Sequence, residues 1–319
     1  MPVPLPRPWT SALPPVSRRV LCCAALSVAA SGAAAQAVAN RAPPLRVVAS
    51  FSILGDLVQQ VGGGHITLQV LVGAGGDAHA VQPTPAMART VAGAALLFSN
   101  GLGFEGWMAR FLRSAGFQGR HVVVSDGFEP RPAEPDHGHG HGHDVDPHLW
   151  QDVAGALHSV ARIRQGLCEA DAVHCGAYRE RAAALTQRLR ALDREIRGGW
   201  AAVPAAQRKV ISSHDAFGYY AAAYGVKFLA PQGISTAAEA SAKGVAALVR
   251  QIRTEQVRAL FVEQLADPRL IAQIGRETGV RPAGVLYADA LSEPGGPAAS
   301  YEALMRHNST MMWRAVRQP

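Results

Sequence analysis

The residues best equipped for chemistry sit in one stretch. Asp144-Val145-Asp146-Pro147-His148-Leu149-Trp150 fixes a histidine between a proline and an apolar pair, and His137-Gly-His139-Gly-His141-Gly-His143 runs directly before it. Imidazole is the commonest metal ligand in proteins. Histidines alternating with glycine cannot build a core, because every second position has no side chain to pack. The stretch therefore points to metal handling, with His148 in a structured site and His137, His139, His141 and His143 as an auxiliary collector of metal. The competing reading is a polar loop that is merely rich in histidine, since such tracts are evidence of composition alone.

Hydrophobic patterning supplies the elements that must position such a site. Short apolar runs at 45–50, 66–72, 95–98 and 121–124 read as strands, separated by helices at 53–61, 85–92 and 105–115. The pattern repeats later, with strands at 209–212, 226–229, 259–262 and 283–287 and helices at 216–224, 241–255, 268–278 and 301–316. Such alternation implies parallel strands covered by helices. Between the two sets lie a helix at 152–168 and a longer one at 171–200, with Asp171 as its expected N-cap. Tyr178, Ala182, Leu185, Leu189, Leu192 and Ile196 recur along it at helical steps, making one apolar stripe. The fold class is thus α/β, with two similar lobes. Each has a mostly parallel four-stranded sheet, and one long helix joins them.

In open parallel sheets, ligands bind beyond the carboxyl ends of the strands. His79 follows the strand at 66–72, His148 lies in the connection after 121–124, His214 follows 209–212 and Asp289 follows 283–287. Glu263 ends the strand at 259–262. If the lobes face each other, these residues converge in the cleft between them. Each also has a plainer reading. A single histidine after a strand is more often a cap or a surface group, Asp152 and Asp215 suit helix N-caps, and Glu263 suits a hydrogen-bonding partner behind a ligand. Phe217, Tyr219 and Tyr220 at helical spacing suit a core. Ser213-His214-Asp215 is no catalytic triad, because adjacent residues cannot line up in the required chain of hydrogen bonds. Gly101-Leu-Gly103-Phe-Glu-Gly106, followed by Asp126, matches a dinucleotide-binding fingerprint and keeps a nucleotide-dependent oxidoreductase in view.

Composition narrows the classes. With 48% hydrophobic and 17% charged residues the chain is ordinary globular material, and 319 residues suit about two domains. The net charge of +7 is spread along helical stretches rather than gathered in one patch, so no nucleic-acid partner is expected. Arg18 and Arg19 precede an apolar run at 20–30 and then Ala33-Ala34-Ala35. This is the form of a secretory signal peptide, too short to span a bilayer, with cleavage near Ala35. Ser17-Arg18-Arg19 leaves a twin-arginine route open. Cleavage removes three arginines and lowers the formal charge from +7 to +4. Leu21 before Cys22 is not the small residue that a lipid anchor needs. Cys168 and Cys175 remain in the mature chain and, in an oxidising compartment, are expected to pair. The division is signal 1–35, first lobe 36–170 with a His-rich loop 136–146, linking helix 171–200, and second lobe 201–319.

Several stretches together resemble the metal-binding receptors of zinc/manganese ABC importers, the cluster A-I solute-binding proteins. Val48-Ala-Ser-Phe-Ser-Ile-Leu-Gly55-Asp56 is similar to the first strand and turn of that family. Gly76-Asp-Ala-His79-Ala-Val-Gln-Pro83-Thr-Pro85 is similar to its first ligand motif. Asn100-Gly101 with Glu105-Gly-Trp107 also resembles a family signature, which accounts for the glycine pattern. Asp146-Pro-His148-Leu-Trp150 with Asp152, and Ser213-His214-Asp-Ala-Phe217-Gly-Tyr219, resemble the second and third ligand motifs. Gly233-Ile-Ser-Thr236, Phe261-Val-Glu263 and Tyr287-Ala-Asp289-Ala-Leu291 follow in family order. Ala78, Gln82 and Ala240 depart from it without touching the ligands.

The resemblance implies that His79, His148, His214 and Asp289 bind the metal in the interlobe cleft. Manganese members of the family tend to carry a carboxylate where this chain has His214, and three imidazoles with one carboxylate suit four-coordinate zinc. The expected function is capture of Zn²⁺ in the periplasm and delivery to an ABC permease and its ATPase. The protein would act as a monomer, without enzymatic activity, and would meet the membrane only through that permease. Manganese is the alternative metal. An exported zinc hydrolase is the alternative class, although a fourth protein ligand would close the position that a catalytic zinc leaves to water. A metal-dependent adhesin or a passive metal buffer differs only in its partner.

Overall fold

In the computed structural model, residues 1, 2, 4, 43–133, 145–236, 240–257 and 259–317 are described. Nearly all of the expected signal peptide and most of the His-rich loop, including His137, His139, His141 and His143, lie outside them. Pro44–Pro319 make one compact unit that contains both sheets. Among the described residues no helix is long and apolar enough to cross a membrane.

The first sheet holds β1 (Leu45–Phe51), β2 (Ile66–Val72), β3 (Leu96–Ser99) and β4 (Arg120–Val123). The second holds β5 (Lys209–Ile211), β6 (Lys227–Leu229), β7 (Ala259–Glu263) and β8 (Pro282–Leu286). Every strand pairing is parallel. The orders are β2-β1-β3-β4 and β6-β5-β7-β8, so the two halves share one topology. Parallel strands buried on both faces read as continuous apolar runs, and β3 is buried at all four positions.

In the first half the helices are α1 (Ser52–Gly62), α2 (Pro85–Ala92), α3 (Met108–Ser114) and α4 (Val153–Ala170). The long connecting helix is α5 (Cys175–Ala201). The second half adds α6 (Gly218–Tyr224), α7 (Ala242–Glu255), α8 (Pro268–Thr278) and α9 (Tyr301–Arg317). Local chemistry sets the helix starts. Thr84, Asp152, Ser241 and Asp267 each accept a backbone N–H in the first turn of the helix that follows, and Pro85 and Pro268 stand where a missing N–H costs nothing.

The 27 residues of α5 span about 40 Å at 1.5 Å per residue. Its expected stripe is the buried face: Tyr178, Ala182, Leu185, Leu189, Leu192 and Ile196 are all buried, as is Trp200. That face packs on α1 and α4 of the first half and on α9 of the second. At its far end Trp200 Nε1 donates to Tyr220 Oη at 2.8 Å, and Tyr220 Oη pairs with Ser309 Oγ at 2.8 Å. A buried hydroxyl and indole thus satisfy each other while tying three helices together. A second, smaller core of Ile211, Leu248, Ile252, Leu260, Ile271 and Ile274 lies under α7 and α8.

The helix expected from 105 begins at Met108, and two expected N-caps, Asp171 and Asp215, do not start the helices assigned to them. The long helix begins at Cys175, not at 171, because Asp171 caps a separate 3-10 turn, Ala172–His174. A disulfide joins Cys168 of α4 to Cys175, so the bridged positions are only seven apart in sequence and the chain must reverse between them. The helix after His214 begins at Gly218, so Asp215 is not its N-cap. Instead the Asp215 N–H donates to the carbonyls of Gln232 and Gly233, at 3.1 and 3.3 Å.

The bridge closes a short loop in the unfolded chain, so reducing it is expected to cost about 2 kcal/mol of stability. Calorimetry of the metal-free protein with and without reductant checks this as a fall of several degrees in Tm. An unchanged Tm would mean that the helical turn holds itself.

Candidate metal centre

His79 stands in the loop between β2 and α2. Asp77 Oδ1 accepts the His79 N–H at 2.8 Å, and Trp107 Nε1 donates to the Ala78 carbonyl at 2.9 Å. The chain is thereby pinned on both sides of the imidazole, which packs edge-on against Phe104. His148 precedes a 3-10 turn, Leu149–Gln151. Asp146 Oδ1 accepts both its backbone N–H, at 2.9 Å, and its ring Nδ1, at 2.8 Å. Asn100 Nδ2 donates to the Pro147 carbonyl at 2.8 Å. Two glycines allow the close approach. A Cβ at Gly155 would collide with the Leu149 carbonyl, and one at Gly218 with Asp146 Oδ2.

His214 follows β5, and Glu263 ends β7. Glu263 Oε1 accepts the N–H groups of Ser213 and His214 at 2.8 and 3.0 Å, while its Oε2 takes His214 Nδ1. Asp289 follows β8. The carbonyl of the residue before it, Ala288, accepts Trp150 Nε1 and Gln151 Nε2, each at 2.8 Å.

These four side chains meet. One donor atom from each of His79, His148, His214 and Asp289 lies within 4.8 Å of all the others. His79 Nε2 and His148 Nε2 are 3.3 Å apart. Asp289 Oδ2 is 3.6 Å from His79 Nε2 and 3.2 Å from His214 Nε2, and its Oδ1 is 3.6 Å from His148 Nε2. All four side chains are almost wholly buried. His214 Nε2 and both oxygens of Asp289 lack hydrogen-bond partners, although buried polar atoms normally have them. The rings of His148 and His214 each give Nδ1 to a carboxylate, which turns their Nε2 atoms inward. Histidines that bind metal are oriented in this way.

The electrostatics agree with the geometry. Burial lowers the His79 imidazole below its ordinary range, against the pull of Asp289. Burial also opposes charge on His214, but Glu263 and Asp289 together hold its pKa well above the usual histidine value. For Asp289 burial works upward, yet the imidazoles, His214 foremost, keep it well below the usual carboxylate range. Three nitrogens and a carboxylate within 4.8 Å of one another, with Asp146 and Glu263 behind them, are a donor set able to hold a metal ion.

Every residue expected in the cluster is in it, and Glu263 is the hydrogen-bonding partner of His214. Asp146 was not singled out for the equivalent role at His148. A sequence signal for it exists: Asp-x-His occurs at Asp77–His79 and again at Asp146–His148, and in both the aspartate accepts the histidine N–H. Tyr219 lies in the core as expected, but its hydroxyl also donates to the Asp146 carbonyl at 3.1 Å. The glycine pattern at 101–106 is no phosphate cradle. The Glu105 carboxylate itself takes the N–H groups of Asn100 and Gly101, at 2.8 and 3.1 Å, where a phosphate would have to bind.

Residues 47–315 match the family model described as "ZnuA: Zinc-uptake complex component A periplasmic". The chain is 30% identical over 268 residues to the iron-binding protein YfeA of Yersinia pestis, covering 83% of this chain and 84% of that one. It is 29% identical over 278 residues to the manganese-binding lipoprotein MntA of Bacillus subtilis, covering 86% and 90%. Among solved structures, the periplasmic zinc binding protein TroA of Treponema pallidum superposes with a TM-score of 0.79 at 27% identity, covering 86% of this chain and all 100% of TroA. The Mn-bound periplasmic metal binding protein of Candidatus Liberibacter asiaticus gives 0.77 at 26% identity, covering 85% and 99%. With its fold, its converging donors and a family match over most of its length, the chain belongs to the ZnuA family and is a metal-binding substrate-binding protein of an ABC importer.

Proposed function

We propose that the protein is an exported, monomeric zinc receptor that captures Zn²⁺ in the periplasm and hands it to the permease of an ABC importer. His79, His148, His214 and Asp289 hold the ion. The observation that carries this reading is the spacing of the donors. The edge of a regular tetrahedron is about 1.6 times the distance from centre to corner, so zinc with ligands at roughly 2.0–2.1 Å asks for donors about 3.3 Å apart. Three of the separations match this edge, His79 Nε2 to His148 Nε2 at 3.3 Å and Asp289 Oδ2 to His79 Nε2 and His214 Nε2 at 3.6 and 3.2 Å, and the four donors all lie within 4.8 Å of one another. Three imidazoles favour a borderline-soft ion over a hard one. A fourth protein donor also fills the position that a zinc hydrolase keeps for water. The signal-like N-terminus supports export, and the family description supports the periplasm.

Manganese has one observation in its favour. Both oxygens of Asp289 face the cluster without other partners, so the carboxylate can bind through two atoms and raise the coordination number. Relatives named for manganese and iron are consistent with that reading.

Calorimetric titration of the metal-free protein is expected to give one zinc per chain, bound more tightly than manganese, with tight binding lost in His148→Ala. Zinc no tighter than manganese would favour the second reading, and no tight binding of either would end both. Asp146→Asn leaves the four ligands in place but removes the anion behind His148, and is expected to weaken zinc about 10- to 100-fold. Unchanged affinity would make Asp146 a purely structural turn residue. The pH dependence has a definite sign. Because the metal-free site holds a proton on His214 above the ordinary histidine range, zinc must displace it, and affinity rises with pH until that proton is gone. Titration at pH 7 in buffers of different ionisation enthalpy is expected to show about one proton released per zinc. No release would mean that His214 is already neutral.

A further inference from the structure

The four donors are not shared evenly between the halves. His79 and His148 belong to loops of the first sheet. Asp289 follows a strand of the second, but its flanking residues are fastened to the first half. The Ala288 carbonyl is held by Trp150 and Gln151, the Leu291 N–H donates to Ser52 Oγ at 3.0 Å, and the Gly75 N–H donates to the Leu291 carbonyl at 3.2 Å. The partners that place His214 are Glu263 and, through a parallel bridge, Gln232, and both belong to the second half. Parting of the halves would leave His79, His148 and Asp289 together and withdraw His214 with Glu263.

A cavity of about 430 Å³ reaches His214, Glu263 and Asp289, and Asp77 and Thr236 both line it. Thr236 Oγ1 donates to Asp77 Oδ2 at 2.7 Å, while Asp77 Oδ1 accepts the His79 N–H at 2.8 Å. One carboxylate therefore steadies a donor-bearing loop of the first half and grips the second half across the cavity. The Thr236 segment is itself tied to that of His214. Gln232 Nε2 donates to the Thr236 carbonyl at 3.3 Å, and the Asp215 N–H donates to the Gln232 carbonyl at 3.1 Å.

We propose that the hydrogen bond from Thr236 to Asp77 is the latch on this movement. It fastens the half carrying His214 over a cation that the other three donors already hold, and so sets how fast the cation leaves. The inference rests on reading the four residues as a cation site. A charge-assisted bond across a parting interface is broken before the ion escapes, so its loss acts on release more than on capture.

The test is stopped-flow release of zinc into excess chromogenic chelator, after calorimetric titration shows how much zinc each protein takes up. Thr236→Val keeps the shape of threonine without its hydroxyl and is expected to release zinc about tenfold faster, whereas Thr236→Ser stays within about twofold of wild type. Thr236→Ala removes the same hydroxyl with less demand on packing and carries the same expectation as valine. In an Asp77→Ala background, Thr236→Val adds no further acceleration, since the hydroxyl then has nothing to grip. Release at the wild-type rate from both hydroxyl-free variants overturns the latch, as does equal acceleration in Thr236→Ser. A wild-type protein that takes up neither zinc nor manganese in the titration overturns the site reading itself, which keeps the two failures apart.

Discussion

Asp289 carries two buried oxygens with no hydrogen-bond donor. A carboxylate in that position costs several kcal/mol unless positive charge lies beside it. Its neighbours are three imidazoles, of which His214 is flanked by a second carboxylate, Glu263. A proton on His214 and a bound dication are two answers to the same electrostatic demand. The interior here is built around an unmet charge, and in the proposed function exchange of one cation for the other is what the protein does. Its selectivity then lies in how many donors surround the ion and how far apart they are held.

The shared strand order of the two sheets makes this arrangement possible. Parallel strands send the loops that follow them out at one edge, so a pair of sheets facing one another presents two sets of loops to a common space. The long helix α5 packs on α1 and α4 at one end and meets α6 and α9 at the other. The segment Ala288–Leu291 crosses back to Trp150, Gln151, Ser52 and Gly75. The donors are thus loop residues with little freedom, each held by a neighbouring carboxylate or carbonyl rather than by a strand ladder. That is how a site on loops can keep four donors within 4.8 Å of one another.

Much of this was legible in the linear chain because it depends on local periodicity. The apolar runs marked the strands, and the stripe from Tyr178 to Ile196 marked the buried face of α5. Thr84, Asp152, Ser241 and Asp267 cap the helices that follow them because a short polar side chain beside a helix start has few better uses. The misplacement of the α5 start had a local cause as well. Asp171 is a good cap, but the bridge from Cys168 to Cys175 spends the intervening residues on a 3-10 turn. The glycine pattern at 101–106 was ambiguous in sequence, because a turn that can bind phosphate and one that binds its own Glu105 need the same small residues.

The sequence by itself determined the residue types, their order after the strands and the family they resemble. From these the four donors and the partner role of Glu263 could be named. Only the tertiary structure decided that the four donors stand within 4.8 Å of one another with the histidine Nε2 atoms inward. It also decided that Asp146 aims His148, and that Asp77 reaches Thr236, 159 positions away along the chain. The physical reason is one of range. Strand, helix and cap preferences act over a few neighbouring residues, whereas a coordination sphere depends on distances between segments that only the packing of two sheets around one helix brings into contact.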